Sequence, residues 1–145
     1  MKLSTRARYG LRAMVDLAMH GDGTPLMMRA IAEQQDLSKR YLDNIFATLR
    51  QAGIVSSVRG ASGGYRLSRP ADAIRVDEVV EALEGDLALV ACHEYAEDCH
   101  RHGKCVTSEV WARATDALRT SLSSETLADL VVRQRQLDAE AEAKS

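Results

Sequence analysis

Apolar side chains recur at helical spacing near the amino terminus of the chain. Four of them fall at positions i, i+3, i+4 and i+7, the spacing of one buried helix face: Leu11, Met14, Val15 and Ala18. With Ser4 or Thr5 as the amino-terminal cap, the pattern predicts a helix that ends near His20 and is stopped by the segment Gly21–Gly23.

Two more helices are predicted on either side of a short break. A segment from about Arg29 to Gln35 is separated by Asp36–Ser38 from a helix that runs from Lys39 to about Gln51. Ser38 is a favourable N-cap for this third helix, and Gly53 is typical of the position just after a helix end. A helix, a tight break and a second capped helix, preceded by another helix, match the helix-turn-helix pattern.

A glycine-rich hairpin is predicted after the third helix. Strand-like runs over Ile54–Val58 and Tyr65–Leu67 enclose a six-residue link that contains Gly60, Gly63 and Gly64. Glycine allows the positive φ angles that tight links need, so these runs indicate a two-stranded wing.

The second half of the chain alternates helical patterns with one irregular segment. A fourth helix carries Val76, Val79, Val80 and Leu83 and ends before Gly85, and residues 86–104 have no periodicity and are interpreted as a loop. A longer helix follows from about Val106, and a last helix begins with a capping box of Thr126 and Asp129. Residues 138–145 are polar and are expected to be frayed or disordered.

Length and composition indicate the size of the domain and the expected location of the protein. The chain has 145 residues, of which 46% are apolar and 4% aromatic, as expected for one compact domain or for a small domain with an appendage. No run of 18 uncharged apolar residues and no signal-peptide pattern is present, so we expect a cytoplasmic protein without a membrane partner.

The charge is divided unevenly between the two halves. Residues 1–70 carry eleven basic and five acidic side chains, whereas the remaining 75 residues carry eight basic and sixteen acidic ones. The basic first half is therefore expected to meet a polyanion, although charges scattered over a solvated surface would give the same totals.

The third helix carries residue types suited to reading double-stranded DNA. On a helical wheel its apolar residues lie on one side, and Lys39, Arg40, Asp43 and Asn44 lie on the other. The two cations suit phosphate contacts near the helix start, Asn44 suits adenine, and Asp43 can accept from a cytosine amino group. An ordinary amphipathic surface helix is the alternative.

The wing favours the DNA interpretation. Arg59 at its base suits a narrow minor groove, where the negative potential is strongest, and Arg66 and Arg69 flank the hairpin. The alternative is a surface hairpin whose glycines serve only the turn.

Three cysteines lie close together in the irregular segment. They have the spacing C-x6-C-x5-C and are interleaved with three histidines: Cys92, Cys99 and Cys105, with His93, His100 and His102. Soft ligands on a short tether suit an iron-sulfur cluster or a tetrahedral zinc ion, while a thiol redox switch and an inert loop are the other interpretations. The absence of a C-x-x-C pair disfavours a thioredoxin-like dithiol.

Several motifs together resemble those of a known family. They are Met1–Ser4 followed by Arg8-Tyr9, Ser38 with Tyr41-Leu42, the run Val55–Gly60 followed by Gly63-Gly64-Tyr65, and the cysteine triplet ahead of Trp111. From residue 1 to about residue 132, the chain resembles the winged-helix transcription factors that include the iron-sulfur cluster regulator IscR and the nitric-oxide-sensitive repressor NsrR.

The resemblance implies a homodimer, paired through its long fifth helices, that binds a palindromic promoter and holds a [2Fe-2S] or [4Fe-4S] cluster. It implies a winged helix-turn-helix domain over 1–84, a cysteine-rich cluster loop over 85–105, dimerisation helices over 106–137 and a polar tail over 138–145. By position, the cluster ligands would be Cys92, Cys99 and Cys105. The DNA contacts would be Ser38, Lys39, Arg40, Tyr41, Asp43, Asn44, Arg59, Gly60, Gly63, Gly64 and Tyr65.

The fourth cluster ligand is left open by the sequence. The family's two solutions are a histidine three residues after the last cysteine and an aspartate in the first helix, and these positions hold Ser108 and Arg8 here. A loop histidine (His93, His100 or His102), an acidic residue or a group from the partner subunit could take this role.

The sequence therefore predicts a mainly α-helical protein with a small β-hairpin wing. Its predicted function is a DNA-binding transcriptional regulator, a repressor or an activator, that senses redox state, iron-sulfur supply or nitric oxide. The alternative within the same fold is a regulator that uses zinc or bare thiols. We find no phosphate loop and no catalytic pairing, so an enzyme with a small-molecule substrate or an electron-transfer protein is disfavoured.

Overall fold

The computed structural model describes residues 2–20, 23–92 and 96–145. The stop predicted at Gly21 and Asp22 and the ligand candidate His93 lie outside these residues. The elements follow in chain order: α1 (Thr5–His20), α2 (Met28–Gln35), α3 (Lys39–Gln51), β1 (Val55–Val58), β2 (Gly64–Leu67), a 3₁₀ turn (Ala71–Ala73), α4 (Val76–Glu84), α5 (Val106–Ser123) and α6 (Leu127–Lys144). The predicted fold class, mainly helical with a β-hairpin wing, is confirmed.

Helices α1 to α4 enclose one apolar core. The side of α3 predicted to be buried has no exposed surface at Leu42, Ile45, Phe46 and Leu49. Met14 and Leu17 of α1, Ile31 of α2 and Val79 of α4 pack into the same cluster. Burial of one face of α3 leaves its opposite face toward solvent, which positions the candidate site.

Local signals place the ends of α2 and α3 where the sequence predicts them. Asp36 adopts a left-handed conformation (φ 53°) that ends α2, and the Ser38 hydroxyl accepts a hydrogen bond of 3.1 Å from the Tyr41 N–H. At the other end of α3, Gly53 has φ 76°, a value that costs glycine little.

The wing is a hairpin anchored at its base. β1 and β2 pair antiparallel from Val55 opposite Leu67 to Val58 opposite Gly64. Tyr65 also exchanges two backbone hydrogen bonds with Leu26, of 2.8 and 2.9 Å, so the segment before α2 adds a third, one-residue edge. The wing therefore has a fixed position relative to α2 and α3.

The last two helices differ in how they contact the core. Backbone bonds of 2.9 Å from Val76 to Glu125 and from Leu127 to Ile74 tie the start of α6 to the start of α4, and the predicted capping box of Thr126 and Asp129 is present. Leu127 is fully buried, whereas α5 buries only Thr115. On α5, large apolar side chains remain exposed at Val106, Val110 and Trp111.

The expectation of a frayed tail over 138–145 is wrong. α6 continues without a break to Lys144, so the boundary at residue 137 is not a structural one. The reason is that alanine, glutamate and lysine are strong helix formers. Side-chain bonds from Gln134 to Asp138 (2.9 Å) and from Arg133 to Glu140 (3.4 Å) add to this local stability.

No helix in the described ranges is both long enough and apolar enough to span a lipid bilayer.

Ser4 links the start of α1 to the end of α4. Its hydroxyl and its backbone N–H donate to Glu84 Oε2 at 2.6 and 3.0 Å, and the hydroxyl accepts from the Ala7 N–H at 3.1 Å. The predicted cap is thus confirmed. The side-chain bond and then the backbone bond from Ser4 lower the pKa of Glu84 below its usual 4.5.

This link predicts a specific acid sensitivity. Because the Glu84 carboxylate has a lower pKa in the folded state, its stabilising effect is present above the unfolded pKa of 4.5 and is lost as the pH falls through the folded value. We expect Glu84→Gln to flatten the pH dependence of the free energy of unfolding below about pH 5, measured by urea unfolding from pH 7 to pH 3. Ser4→Ala should flatten it in part, since the backbone donor remains. A slope unchanged in both variants would contradict the assignment.

Candidate nucleic-acid interface and cysteine segment

The outer face of α3 brings together the predicted major-groove residues. Lys39, Arg40 and Asn44 are exposed, and Tyr41 and Asp43 are half-buried at the edges of this face. The Ser38 hydroxyl is engaged as the helix cap, so its established role is to begin α3. The face presents cations near the positive end of the helix dipole, which suits phosphate binding.

Lys39 and Asp43 form an ion pair on this face. The Lys39 ammonium lies 2.7 Å from Asp43 Oδ2 one turn later, and the two side chains are 61% and 43% exposed. The pair has little net value for stability at such exposure. In the predicted DNA complex, the lysine would offset the charge of a carboxylate that would otherwise face phosphates.

Arg6 of α1 joins this surface, which the sequence did not reveal. Its guanidinium donates to Asn44 Oδ1 and to Thr48 Oγ1 of α3. Next to it, the Tyr41 hydroxyl donates to Thr5 Oγ1 at 3.4 Å. The start of α1 therefore forms one polar surface with α3. The only sequence signal for Arg6 was its positive charge, because periodicity does not relate residues 38 positions apart.

Two glycines of the wing have a packing reason that is independent of DNA. A Cβ at Gly63 would lie 2.1 Å from the Val58 carbonyl oxygen, and a Cβ at Gly64 would lie 2.2 Å from the Leu26 carbonyl oxygen. Gly60 has φ 110° with open space around it. Both contacts are with backbone atoms, so only glycine fits at Gly63 and Gly64 without a shift.

The remaining wing residues divide between packing and exposure. Tyr65 packs edge to face against Phe46, with ring centroids 5.2 Å apart, so its ring anchors the wing on the core. Arg59 is exposed beside Gly60. Arg69 pairs with Glu78 and donates to the Ala73 carbonyl at 2.8 Å, and this ties it to the body of the domain. The DNA contacts of the wing residues stay predictions.

The three cysteines carry free thiols in the second half of the chain. Cys92 and Cys99 are exposed, and Cys105 is half-buried at the N-cap of α5. The pKa of Cys105 is lowered, first by a hydrogen bond with Thr107 Oγ1 at 3.1 Å, then by the Ser108 backbone N–H, with a smaller effect of the Arg101 charge, while burial opposes the shift. A thiol stabilised as thiolate is a better metal ligand and a better nucleophile.

The segment that leads to Cys92 lies along α5. Leu87 is buried, the Leu89 N–H donates to Thr115 Oγ1 at 3.2 Å, and Asp86 pairs with Arg119 at 2.6 Å. Cys92 and Ser108 line the same surface cavity of about 350 Å³. The Ser108 hydroxyl donates to the Cys105 carbonyl at 2.7 Å, so Ser108 and Cys105 are in contact at the start of α5.

The donor types in this segment suit a soft metal, but the described side chains are not gathered into a site. Within residues 2–20, 23–92 and 96–145, no three His, Cys, Asp or Glu side chains are grouped closely enough to hold a metal ion. The predicted ligation by Cys92, Cys99 and Cys105 stays a prediction, and so does the fourth ligand.

Comparison with known proteins identifies the family to which the chain belongs. Residues 3–133 match the Rrf2 family, which is described as an iron-dependent transcriptional regulator. The chain belongs to the Rrf2 family of transcriptional regulators. The protein rrf2 of Nitratidesulfovibrio vulgaris (strain Hildenborough) is 44% identical over 131 residues, which are 90% of this chain and 87% of that protein.

Two solved structures of Rrf2 relatives have the same fold over most of the chain. CymR of B. subtilis, named as its global cysteine regulator, superposes with a TM-score of 0.77 at 38% identity and covers 92% of this chain and 98% of its own. IscR of T. potens superposes with a TM-score of 0.75 at 39% identity and covers 92% and 88%. The predicted family and the winged helix are thus confirmed, and the specific resemblance to NsrR stays a prediction. Transcriptional regulators are not enzymes, as the sequence indicated.

Proposed function

We propose that this Rrf2 protein is a homodimeric DNA-binding regulator that senses redox state, iron-sulfur supply or nitric oxide through its cysteine segment. The observation that supports DNA reading best is the polar surface formed by α3 and the start of α1, where Lys39, Arg40 and Asn44 are exposed on a helix whose opposite face is fully buried. A side chain on such a helix is held in place well enough to discriminate base edges.

The proposed docking places α3 in a major groove and Arg59 of the wing in the adjacent minor groove. The exposed apolar side chains of α5 (Val106, Val110 and Trp111) supply a surface for pairing two copies. In a symmetric dimer the two α3 helices would have to lie about 34 to 36 Å apart to enter successive major grooves of a palindrome.

In this proposal Cys92, Cys99 and Cys105 hold a [2Fe-2S] or [4Fe-4S] cluster, which supplies a redox-active centre that oxidants and nitric oxide can destroy. Thiolate ligands are required, and the lowered pKa of Cys105 favours that state. Cys92 follows the segment docked on α5, and Cys105 begins α5 itself. Ligation of both at one centre would fix this segment on α5, and α5 is the proposed dimer helix.

A regulator that uses bare thiols or zinc is the second candidate. One observation favours it: hydrogen bonds with Thr107 and Ser108 lower the pKa of the Cys105 thiol, which makes it a better nucleophile. One relative, CymR, is named as a regulator of cysteine. A low-pKa thiol reacts with oxidants directly, so the same residue could sense redox state by forming a sulfenic acid or a disulfide.

One experiment separates these candidates. The protein is purified without oxygen, its visible absorption and its iron, sulfide and zinc contents are measured, and bound duplexes are selected from a random pool before and after oxidation. We expect iron and sulfide in similar amounts, and sequence-specific binding that changes by roughly 5- to 150-fold when the centre is lost. Cys92→Ala and Cys105→Ala should lose the iron.

The control variant is Lys104→Ala, an exposed neighbour of Cys105 in the same segment, which should keep its iron. A colourless protein with stoichiometric zinc, or a metal-free protein whose DNA binding changes on thiol oxidation, would replace the cluster by the second candidate. If no sequence is enriched in any of these states, the proposal of DNA regulation is wrong.

A further inference from the structure

Three polar side chains form a closed network between α1 and α3. The Arg6 guanidinium donates one N–H to Asn44 Oδ1 and another to Thr48 Oγ1. The Thr48 hydroxyl in turn donates to the Asn44 backbone carbonyl at 3.4 Å. Arg6 and Thr48 are half-buried while Asn44 is exposed, so the network holds an outward-facing residue from its inner side.

We propose that Arg6 is a positioning residue that fixes the amide plane of Asn44 for base recognition. This inference rests on the proposed DNA reading by α3. An asparagine amide has an acceptor oxygen and a donor NH₂ about 120° apart on one carbon, so an oxygen directed at Arg6 leaves the NH₂ directed elsewhere. Rotating the amide by half a turn would place its two donors against the donors of the guanidinium.

The fixed orientation restricts the direction in which the Asn44 amide can meet a base edge. The adenine pairing expected from the sequence uses the amide oxygen and the amide NH₂ together. Here Oδ1 already accepts from a charged donor, and hydrogen bonds to charged groups are the stronger ones. The oxygen has a second lone pair, so Oδ1 can accept from Arg6 and from a base amino group together. With Oδ1 held by Arg6, the NH₂ has a fixed direction for donation to a purine N7 or a guanine O6, and the amide sets which base pair is preferred at one position of the operator.

If Arg6 had one of two other roles, its substitution would have different effects. An arginine that only contacts a phosphate strengthens binding to every sequence equally and adds about 0.9 to the slope of affinity against salt. An arginine that only ties α1 to α3 affects the unfolding temperature and no single base position. A positioning role changes the base preference at the one position that Asn44 reads.

The test measures the base preference of the whole protein at each operator position, with duplexes in which every position of a selected operator is varied in turn. The profiles of the wild type and the variants are then compared. The variants are Arg6→Met, which keeps most of the side-chain length without the donors, Arg6→Lys, Asn44→Ala, and the double variant Arg6→Met with Asn44→Ala. The matched control is Arg50→Met, which removes an exposed arginine of α3 whose guanidinium contacts Ser57 of the wing.

We expect Asn44→Ala to lower discrimination at one operator position by about tenfold or more. Arg6→Met should lower it at the same position by roughly 3- to 10-fold, with no further loss in the double variant, because the two residues act as one unit. Arg6→Lys should recover part of the preference, since an ammonium can bind Oδ1 but not both partners in one plane. Arg50→Met should leave that position unchanged.

Three outcomes would overturn the inference. They are an Arg6→Met loss that is uniform over all positions with a smaller salt slope, an effect on a different position from that of Asn44→Ala, and losses that simply add in the double variant. In each of these cases Asn44→Ala still flattens its own position, so DNA reading by α3 stands. A wild-type protein without any sequence preference would instead remove the proposed function itself, and the inference with it. Thermal unfolding of each variant checks that the fold is intact.

Discussion

Gly64→Ala is expected to lower the free energy of unfolding by about 2 to 4 kcal/mol and to weaken DNA binding by the wing. Gly64 has φ 149°, a conformation that L side chains rarely adopt. Its added Cβ would also lie 2.2 Å from the Leu26 carbonyl oxygen and 2.9 Å from the Met27 nitrogen. Both atoms are backbone, so relief requires the edge between Leu26 and Tyr65 to open.

Gly60→Ala is the matched control for this effect. It lies in the same hairpin and has a positive φ of 110°, but a Cβ there meets no atom within 4 Å. Only backbone strain remains, and we expect a loss of about 1 to 2 kcal/mol. Urea unfolding of both variants measures the difference, which isolates the close approach of Gly64 to the Leu26 backbone. Equal losses in the two variants would show that this contact is unimportant.

Asp43→Ala is expected to reduce discrimination at one base pair by about 1 to 3 kcal/mol, while binding to unrelated DNA becomes stronger. The carboxylate faces the proposed groove with Oδ2 paired to Lys39 at 2.7 Å, and this leaves its other oxygen free for a cytosine amino group. Removing it abolishes the base contact. It also frees Lys39 for phosphates and removes a negative charge beside them, so the two kinds of binding change in opposite directions.

Asp43→Asn and Lys39→Ala are the controls. The amide in Asp43→Asn keeps the size of the side chain and an acceptor oxygen without the charge, so it should keep part of the base preference. Lys39→Ala should weaken binding to every sequence and lower the salt slope by about 0.9 if the lysine contacts one phosphate. Titrations of specific and random duplexes at several salt concentrations measure these effects. An unchanged profile for Asp43→Ala would refute base reading by this residue.

The elements themselves were predictable because their signals are local. Ser38 and Gly53 mark the two ends of α3, and Thr126 and Asp129 mark the start of α6. The helical spacing of four apolar residues identifies the buried face of α3: Leu42, Ile45, Phe46 and Leu49. Each of these signals operates over a few residues. Where two local signals conflicted, the prediction failed: the polar composition of residues 138–145 suggested disorder, but their helix propensity extends α6 to Lys144.

The candidate site was predictable only in part. Lys39, Arg40, Asp43 and Asn44 follow from one helical wheel and do lie on the exposed side of α3. The wing residues were predicted as DNA contacts, yet Gly63, Gly64 and Tyr65 have reasons in backbone approach and in the ring contact with Phe46. The sequence shows that glycine or an aromatic residue occupies each of these positions. The reason for that residue type is visible only in the contacts with neighbours in the folded structure.

By itself, the sequence determined the order and the ends of the helices, the winged-helix class and the polar face of α3, because periodicity, caps and turn residues act within one or two turns of chain. The tertiary structure alone decided that Arg6 meets Asn44, that Tyr65 pairs with Leu26, and that the approach to Cys92 lies on α5. These contacts join residues between 26 and 39 positions apart. They depend on how the helices pack around the core, which no local pattern encodes.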